Sequence, residues 1–286
     1  GVTAARALAQ ANIPVVLHER STRLGGRLGT IDVSGRLIGS GCSYIKAKDP
    51  NFAQQLESWQ DAGLVSEWQD ANPHTITAPG EWSKIDIVGE RWFAGRAHIC
   101  ELSAEERENI DVRIGDVFDV NHESSTWVVA TSQPLSIEDD LDAEVPQESH
   151  LHSSLIVATG VHEATEFLPR KMLDTALGRG RYKDFVKERV SAAVVFERSL
   201  ELPFGFAVVA TEGSAVTVAI NEDSRSGASS DGSEAWVLQS ATGWARQVLD
   251  DELDDTALCD AMVDSFATAL GRKLPAVVAS GVAVWP

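Results

Sequence analysis

The segment VVLHERSTRLGGR at residues 15–27 constrains the fold more than any other part of this chain. Its run of β-branched and aliphatic residues predicts a short buried strand that ends in an acid, Glu19. Small and apolar residues precede it at helical spacing, and Asn12 with Pro14 ends that helical pattern. The order helix, strand, carboxylate is typical of the first βαβ unit of a dinucleotide-binding fold.

In such a unit, the acid that closes the second strand lies about 20 residues beyond a glycine loop and binds the hydroxyl groups of a ribose. Glu19 stands 18 residues after Gly1. A carboxylate suits a vicinal diol because it offers only hydrogen-bond acceptors. The spacing therefore predicts that Gly1 is the last glycine of a GxGxxG phosphate loop.

The glycine pair Gly25-Gly26 adds a second feature. Two residues without Cβ allow positive φ or close approach of a ligand to the backbone. Arg27 follows them and can bring a charge-assisted donor to a phosphate. We place Arg20, which directly follows Glu19, in the same predicted site.

The remaining pattern predicts an α/β fold in which strand–helix–strand units are followed by a mixed α+β region. Residues 20–41 read as a loop rich in glycine. The segment 49–68 contains an amphipathic helix with Asp49 as its N-cap and Gly63 as its C-terminal stop, and 108–131 read as strands with a turn near NHESS. SSLIVATG (153–160) reads as a buried parallel strand. Four strands with hairpin-like spacing between residues 189 and 241, one or two helices over 243–271 and a last strand over 276–285 complete the prediction.

Composition excludes several classes of function. The formal net charge of −19 argues against nucleic acid and anionic membranes as partners, because both require a basic face. Much of the acidic excess lies in a predicted surface insertion at 136–150. Three separated cysteines favour a reducing, cytoplasmic compartment over a disulfide framework. His150 and His152 form a His-x-His pair without a third spaced ligand, so no metal site is predicted.

Several segments in order resemble a known family. GVTAARALAQANIPVVLHERSTRLGGRLGT is similar to the N-terminal flavin fingerprint of the amine-oxidase-like FAD superfamily. YIKAKDPNFAQQLESWQDAGLVSEW, LELPFGFAVV, EAWVLQSATGWARQVLDDE and KLPAVVASGVAVW resemble its renalase-like branch. The resemblance covers nearly the whole chain and implies a Rossmann-like FAD-binding domain (1–48 and 105–168) interleaved with an α+β substrate domain containing an antiparallel sheet (49–104 and 169–286).

The resemblance also implies roles for single residues. Glu19 would bind the adenosine ribose, and the Gly25–Arg27 turn would lie along the FAD pyrophosphate and ribityl chain. Val117 would contact adenine through its backbone. Ala158 and Gly160 would lie beside the cofactor at the end of their predicted strand.

The chain departs from the family at several positions. Gly39 and Ser43 stand in a region where relatives usually carry an acid, and VAVW replaces a His-Arg-Trp-like end. The family's first strand, its first two glycines and its final Gly-Asp motif have no counterpart, so we expect the chain to be a fragment of a longer protein. These departures affect the region expected to face the flavin ring.

The family chemistry implies hydride transfer from a small amine or a reduced nicotinamide-type substrate to the flavin, with dioxygen as acceptor. No catalytic residue is predicted; Tyr44 and Trp285 are candidates for an aromatic wall over the flavin, and packing alone also explains both. Two alternatives stay open. One is an NAD-dependent oxidoreductase that uses Glu19, and the other is a degenerate, non-catalytic binding module. The sequence pattern does not indicate which oligomeric state the protein adopts.

Overall fold

The computed structural model describes residues 1–95, 99–132, 147–179, 188–226 and 232–285. Most of the predicted acidic insertion (136–150) therefore lies outside the described residues. The helices in these ranges are α1 (Val2–Gln10), α2 (Pro50–Asp61), α3 (Ala104–Asn109), α4 (Val161–Phe167), α5 (Arg170–Leu177), α6 (Glu222–Ser226), α7 (Thr242–Asp250) and α8 (Asp255–Leu270). The strands are β1 (Val15–Glu19), β2 (Thr30–Val33), β3 (Arg36–Gly39), β4 (Val65–Glu67), β5 (His74–Ala78), β6 (Glu81–Lys84), β7 (Phe93–Gly95), β8 (Ile110–Ile114), β9 (Asp116–Glu123), β10 (Thr126–Ser132), β11 (Gln147–His152), β12 (Arg189–Phe196), β13 (Phe206–Val209), β14 (Val216–Asn221), β15 (Glu234–Ser240) and β16 (Val277–Trp285).

The chain forms two compact units, and each is built from separate stretches of sequence. The first unit comprises 1–26 and 100–186, and the second comprises 27–99 and 187–285. These bounds differ from the domains expected from the sequence chiefly at 27–48, which belong to the second unit, and at 169–186, which belong to the first. The assignment of one domain to the cofactor and the other to the substrate stays a prediction.

The first unit contains the predicted parallel pairing. β1 pairs with β8 in parallel, with Val15 opposite Ile110 and Glu19 opposite Ile114. A three-stranded antiparallel sheet in the order β11-β10-β9 follows. Ala5 of α1, with Ile110 and Leu102, forms the buried cluster of this unit, because the small apolar face of α1 lies against the β1–β8 pair.

The second unit is built around a seven-stranded sheet in the order β16-β12-β15-β14-β13-β5-β6. All its pairings are antiparallel except β13 with β5. β12 is buried almost throughout, and α7 and α8 contribute Ala245, Met262 and Phe266 to the core on one face. The predicted strands and helices of the second half are confirmed.

Two local predictions are wrong. Residues 30–39 form the β2–β3 hairpin rather than loop, and its turn has positive φ at both Ser34 and Gly35. The alternation of TIDV and RLIG around Ser-Gly is itself a hairpin signal. The predicted strand at 153–160 is also absent: β11 ends at His152, and Ile156 is 59% exposed. Among the described residues, β1 pairs only with β8, so the apolar residues after His152 have no neighbouring strand to hydrogen-bond.

The start of α2 follows the prediction and supplies a stability test. The Asp49 side chain accepts hydrogen bonds from the backbone N–H groups of Asn51 and Phe52, and Pro50 occupies the first helical turn. Asp49→Ala leaves these donors without a side-chain acceptor, so we expect the free energy of unfolding to fall by about 1 kcal/mol. Urea unfolding measures this change, and Asp49→Asn should restore most of the loss. An Asp49→Ala protein as stable as the parent would contradict the capping role.

Among the described residues, no helix is both long enough and apolar enough to cross a bilayer. Cys42, Cys100 and Cys259 are free thiols.

Candidate functional site

Glu19 lies at the carboxyl end of the β1–β8 pair, which is the edge where open α/β sheets bind ligands. Its Oε1 accepts the backbone N–H of Ser21 at 2.9 Å, which leaves Oε2 as a further acceptor. Its carbonyl oxygen accepts the N–H of Gly115 at 2.8 Å. That bond holds the β8–β9 turn beside Glu19, and Val117 follows two residues later in β9.

The start of α1 lies near a second predicted cofactor residue. A Cβ on Gly1 would be 3.4 Å from Leu17 Cδ1 and 4.0 Å from Ala158 Cβ. Within the described ranges, no side chain caps this nine-residue helix at Gly1. A helix N-terminus with uncapped N–H groups is compatible with an anionic phosphate. The first unit thus brings Gly1 and Ala158 together, as the predicted site requires.

Gly160 and Arg20 both lie close to the carboxylate of Glu163. Gly160 is the N-cap residue of α4, and the Glu163 side chain in the first turn turns back toward it. Arg20 Nη2 lies 3.8 Å from Glu163 Oε1. Because the Arg20 side chain is 58% exposed, this ion pair contributes little to stability and leaves the guanidinium within reach of a ligand.

The glycine pair has the backbone that its sequence predicts. Gly25 has φ of 132° and Gly26 has φ of 50°, which side chains strongly disfavour. Gly26 begins a 3-10 helix that ends at Leu28. Arg27, in that turn, belongs to the second unit, whereas Gly25 and Gly26 belong to the first.

These features fit an adenine dinucleotide. The first unit supplies an acid with a remaining acceptor oxygen at the end of a parallel strand, a helix N-terminus without a side-chain cap, and a glycine turn with positive φ. The acid suits a ribose, the helix N-terminus suits a pyrophosphate, and the glycine turn allows a ligand to approach the backbone closely. The individual contacts of Glu19, Val117 and Ala158 with a cofactor stay predictions.

The two aromatic candidates differ in their surroundings. Tyr44 stacks on Trp92, with ring centroids 4.0 Å apart and an interplanar angle of 6°, and Phe206 meets it edge-on. One face of Tyr44 is therefore covered by protein. Trp285 ends β16 opposite Arg189, and its buried Nε1 has no hydrogen-bond partner among the described residues. No ring contact joins Tyr44 and Trp285 in the described part of the chain.

Sequence reasoning missed a cluster of three histidines in the first unit. His18 Nε2 lies 3.4 Å from His152 Nε2, and the rings of His18 and His150 are 5.1 Å apart. Arg113 donates to His150 Nδ1, and His150 Nε2 lies 3.1 Å from Thr131 Oγ1. Periodicity alone could not bring β1 and β11 together. Within the described ranges, no group of three or more His, Cys, Asp or Glu side chains has the geometry to hold a metal ion.

This cluster makes stability depend on pH. Burial, and then the charges of His150 and His152, lower the pKa of His18 to about 4. The unfolded side chain binds a proton near pH 6.5, so acid favours the unfolded chain, and stability is lost as the pH falls from 6.5 towards 4. The full shift corresponds to roughly 3 kcal/mol, and partial exposure of the ring reduces the expected effect to about 1–2 kcal/mol.

Urea unfolding at several pH values tests this dependence. His18→Gln should lose about 1–2 kcal/mol less than the parent protein between pH 6.5 and pH 4. His162→Gln is the matched control, because the His162 side chain is 48% exposed in the same unit. Parallel pH profiles for the parent and His18→Gln would contradict the prediction.

Comparison with known proteins agrees with this geometry. Residues 1–84 match the family described as flavin containing amine oxidoreductase. The match includes β1, Glu19 and the Gly25–Arg27 turn. It supports the predicted enzyme class, an FAD-dependent oxidoreductase, and FAD as the predicted cofactor.

Solved structures show the same fold. A protein described as a protoporphyrinogen oxidase from Exiguobacterium sp. 255-15 aligns with a TM-score of 0.64 at 10% identity, over 99% of this chain and 83% of that one. A putrescine oxidase bound to putrescine aligns with a TM-score of 0.62 at 13% identity, over 98% and 81%. An oxidoreductase from Methanosarcina mazei aligns with a TM-score of 0.61 at 9% identity, over 99% and 85%. The predicted fold class, a Rossmann-like domain interleaved with an α+β domain that contains an antiparallel sheet, is confirmed.

Proposed function

We propose that this chain is an FAD-dependent oxidoreductase of the amine-oxidase-like type, in its renalase-like branch. It takes a hydride from a small amine or a reduced nicotinamide-type substrate, with dioxygen as the electron acceptor. The observation that carries the proposal is the flavin amine oxidoreductase match over residues 1–84, in which Glu19 closes a strand of a parallel pair. One fold neighbour is a putrescine oxidase bound to putrescine, which is a small amine.

The chain's own residues would hold the cofactor. Glu19 would accept hydrogen bonds from the ribose hydroxyl groups, and the N-terminus of α1 at Gly1 would bind the pyrophosphate. Gly25 and Gly26 would allow close backbone approach, while Arg27 would neutralise phosphate charge. When bound, FAD supplies the redox chemistry by accepting a hydride. The protein therefore needs to bind and orient the cofactor and the substrate and to exclude water, rather than provide a nucleophile.

The Val117 backbone would contact adenine, and Ala158 with Gly160 would line the cofactor from the other side. Two observations support this part of the proposal. The Gly115 N–H bond to the Glu19 carbonyl holds the start of β9 beside the ribose acid. Gly1 and Ala158 already approach each other within the first unit.

A second candidate function is a non-catalytic module that keeps the fold and binds without turnover. Gly39 and Ser43 stand in a region where relatives usually carry an acid, and Trp92 covers one face of Tyr44. An NAD-dependent oxidoreductase is less well supported, because the matched family is a flavin family.

Purification of the complete open reading frame tests these functions. The proposal expects a yellow protein whose flavin absorption bleaches anaerobically on addition of a small primary amine or a reduced nicotinamide, and returns with hydrogen peroxide when air is admitted. A flavoprotein that neither donor reduces, although dithionite does, would favour the binding module. A colourless protein that binds no added FAD would overturn the proposal, and binding of NAD alone would favour the nicotinamide enzyme.

A further inference from the structure

The loop Gly39–Ser43 of the second unit is held through its backbone by Arg225. The Nη1 nitrogen of its guanidinium donates to the carbonyl oxygens of Cys42 and Ser43 at 2.9 and 3.1 Å. The other terminal nitrogen, Nη2, donates to the carbonyl of Gly39 at 3.3 Å. A single side chain from α6 therefore binds three carbonyl groups of one loop.

Gln239 of β15 holds the same loop from the central sheet. Its amide nitrogen donates to the Gly41 carbonyl at 2.6 Å and reaches the Ser40 carbonyl at 3.5 Å. Its amide oxygen accepts the Ser43 hydroxyl at 2.9 Å. Together, Arg225 and Gln239 bind the carbonyl group of every residue from Gly39 to Ser43. We call these two side chains the loop anchor.

The Arg225 part of the loop anchor is buried. The Arg225 side chain is 4% exposed and pairs with the 6% exposed Glu222 side chain. A buried guanidinium is costly unless its charge and its N–H groups have partners. Here a carboxylate and three carbonyls bind the two terminal nitrogens of Arg225, while its Nε has no hydrogen-bond partner among the described residues. A Cβ at position 39 would collide with Nη2 of Arg225. The glycine that departs from the family pattern thus makes room for this arginine.

The anchored loop is in close contact with the backbone of Arg27 in the same unit. A Cβ on Gly41 would overlap the Arg27 carbonyl group and lie 3.0 Å from the Arg27 Cα. The loop also leads directly into Tyr44. Two residues of the predicted site, Arg27 and Tyr44, therefore take their positions from a loop that the anchor holds.

We propose that Arg225 and Gln239 are positioning residues, which hold the Gly39–Ser43 loop so that Arg27 is placed to bind the cofactor. The inference rests on the proposed function for its cofactor part. It predicts that loosening the anchor mobilises the loop and weakens FAD binding without removing any group that touches the cofactor.

The alkylation rate of the Cys42 thiol measures the mobility of the loop and does not require a bound cofactor. Burial raises the pKa of its thiol, and the charge of Arg225 opposes that rise, so a test of mobility must keep this charge. Arg225→Lys keeps it while losing the fork that binds several carbonyls at once. Gln239→Leu removes both amide functions without a change of charge. Arg272→Lys is the matched control, because Arg272 donates to the Leu200 carbonyl elsewhere in the same unit.

The experiment follows alkylation of Cys42 by iodoacetamide in the folded, complete protein, with peptide mass spectrometry to separate it from other thiols. Arg225→Lys and Gln239→Leu should alkylate about tenfold faster than the parent, and Arg272→Lys at the parent rate. Ser43→Ala, which removes one hydroxyl, serves if the larger changes prevent folding; its alkylation should still be about threefold faster. Parent-like rates in the folded anchor variants, or in Ser43→Ala, would overturn the proposal.

The second measurement is FAD affinity by flavin fluorescence. We expect about tenfold weaker binding in Arg225→Lys and Gln239→Leu and no change in Arg272→Lys. Faster alkylation with unchanged FAD affinity would overturn the link between the loop and the cofactor. If the parent protein binds no FAD, the proposed function fails and this link fails with it, while the alkylation rates still decide whether Arg225 and Gln239 hold the loop.

Discussion

Gly41→Ala is expected to lower the free energy of unfolding by about 3 kcal/mol, because the added methyl group has no space. The new Cβ would overlap the Arg27 carbonyl and lie 2.8 Å from its carbonyl carbon. Both neighbours are backbone atoms, so a side-chain rotation cannot relieve the overlap. Either the Arg27 backbone shifts or the loop leaves the loop anchor, and the second response breaks the hydrogen bonds to Arg225 and Gln239.

Urea unfolding measures this loss, and Gly243→Ala is the matched control. Gly243 lies in α7, and its added Cβ would meet nothing within 4 Å. Alanine is the better helix former, so the control should be neutral or more stable by about 0.5–1 kcal/mol. Equal stability of Gly41→Ala and the parent would show that the loop does not lie against Arg27.

Glu19→Ala is expected to weaken FAD binding about a hundredfold while leaving the fold intact. A carboxylate that accepts two hydroxyl groups makes charge-assisted hydrogen bonds, which are the stronger kind. The substitution removes both acceptors and leaves the ribose hydroxyls to water. Stability should change by less than about 1 kcal/mol, since Glu19 is half-exposed and, among the described residues, its carboxylate bonds only the Ser21 N–H.

Equilibrium titration with FAD checks the prediction, with thermal unfolding measured in parallel. Glu123→Ala removes an exposed acid from the end of β9 in the same unit and should bind FAD like the parent. Glu19→Gln should lie between the two, because its amide keeps one acceptor oxygen but loses the charge. Retention of parent affinity in Glu19→Ala would place the ribose elsewhere.

The sequence predicted those parts of the molecule whose signals are local. The helical face of α1, the apolar run of β1, the Asp49 cap and the alternation of β9 and β10 each depend on residues close in the chain. The structure therefore has these elements where the patterns place them. Glu19 could be singled out because an acid that ends a buried strand has a small number of physical explanations.

The parts that were missed depend on distant residues. Arg225 lies in a short helix without an apolar pattern, and its partners are carbonyl groups more than 180 residues earlier in the chain. Gln239 interrupts a buried strand and reads locally as an ordinary polar residue. The strand prediction for the segment after His152 failed for the opposite reason. Its apolar composition is typical of a strand, but a strand also needs a neighbouring strand to pair with, and composition does not show whether one is present. The β2–β3 hairpin, by contrast, was visible in its Ser-Gly turn and was overlooked among many glycines.

The interleaving of the two units has a consequence for biosynthesis. A ribosome releases the chain from its N-terminal end, so all segments of the first unit emerge about 100 residues before the second unit is complete. β5 must wait for β13, its parallel partner, and β12 cannot pair on both sides until β16 has emerged. During that interval the strands of the larger sheet present unpaired edges, which are prone to association with other chains. Chaperone binding to the chain between β6 and β13 should therefore improve the yield of native protein, and slow translation of that stretch should reduce it.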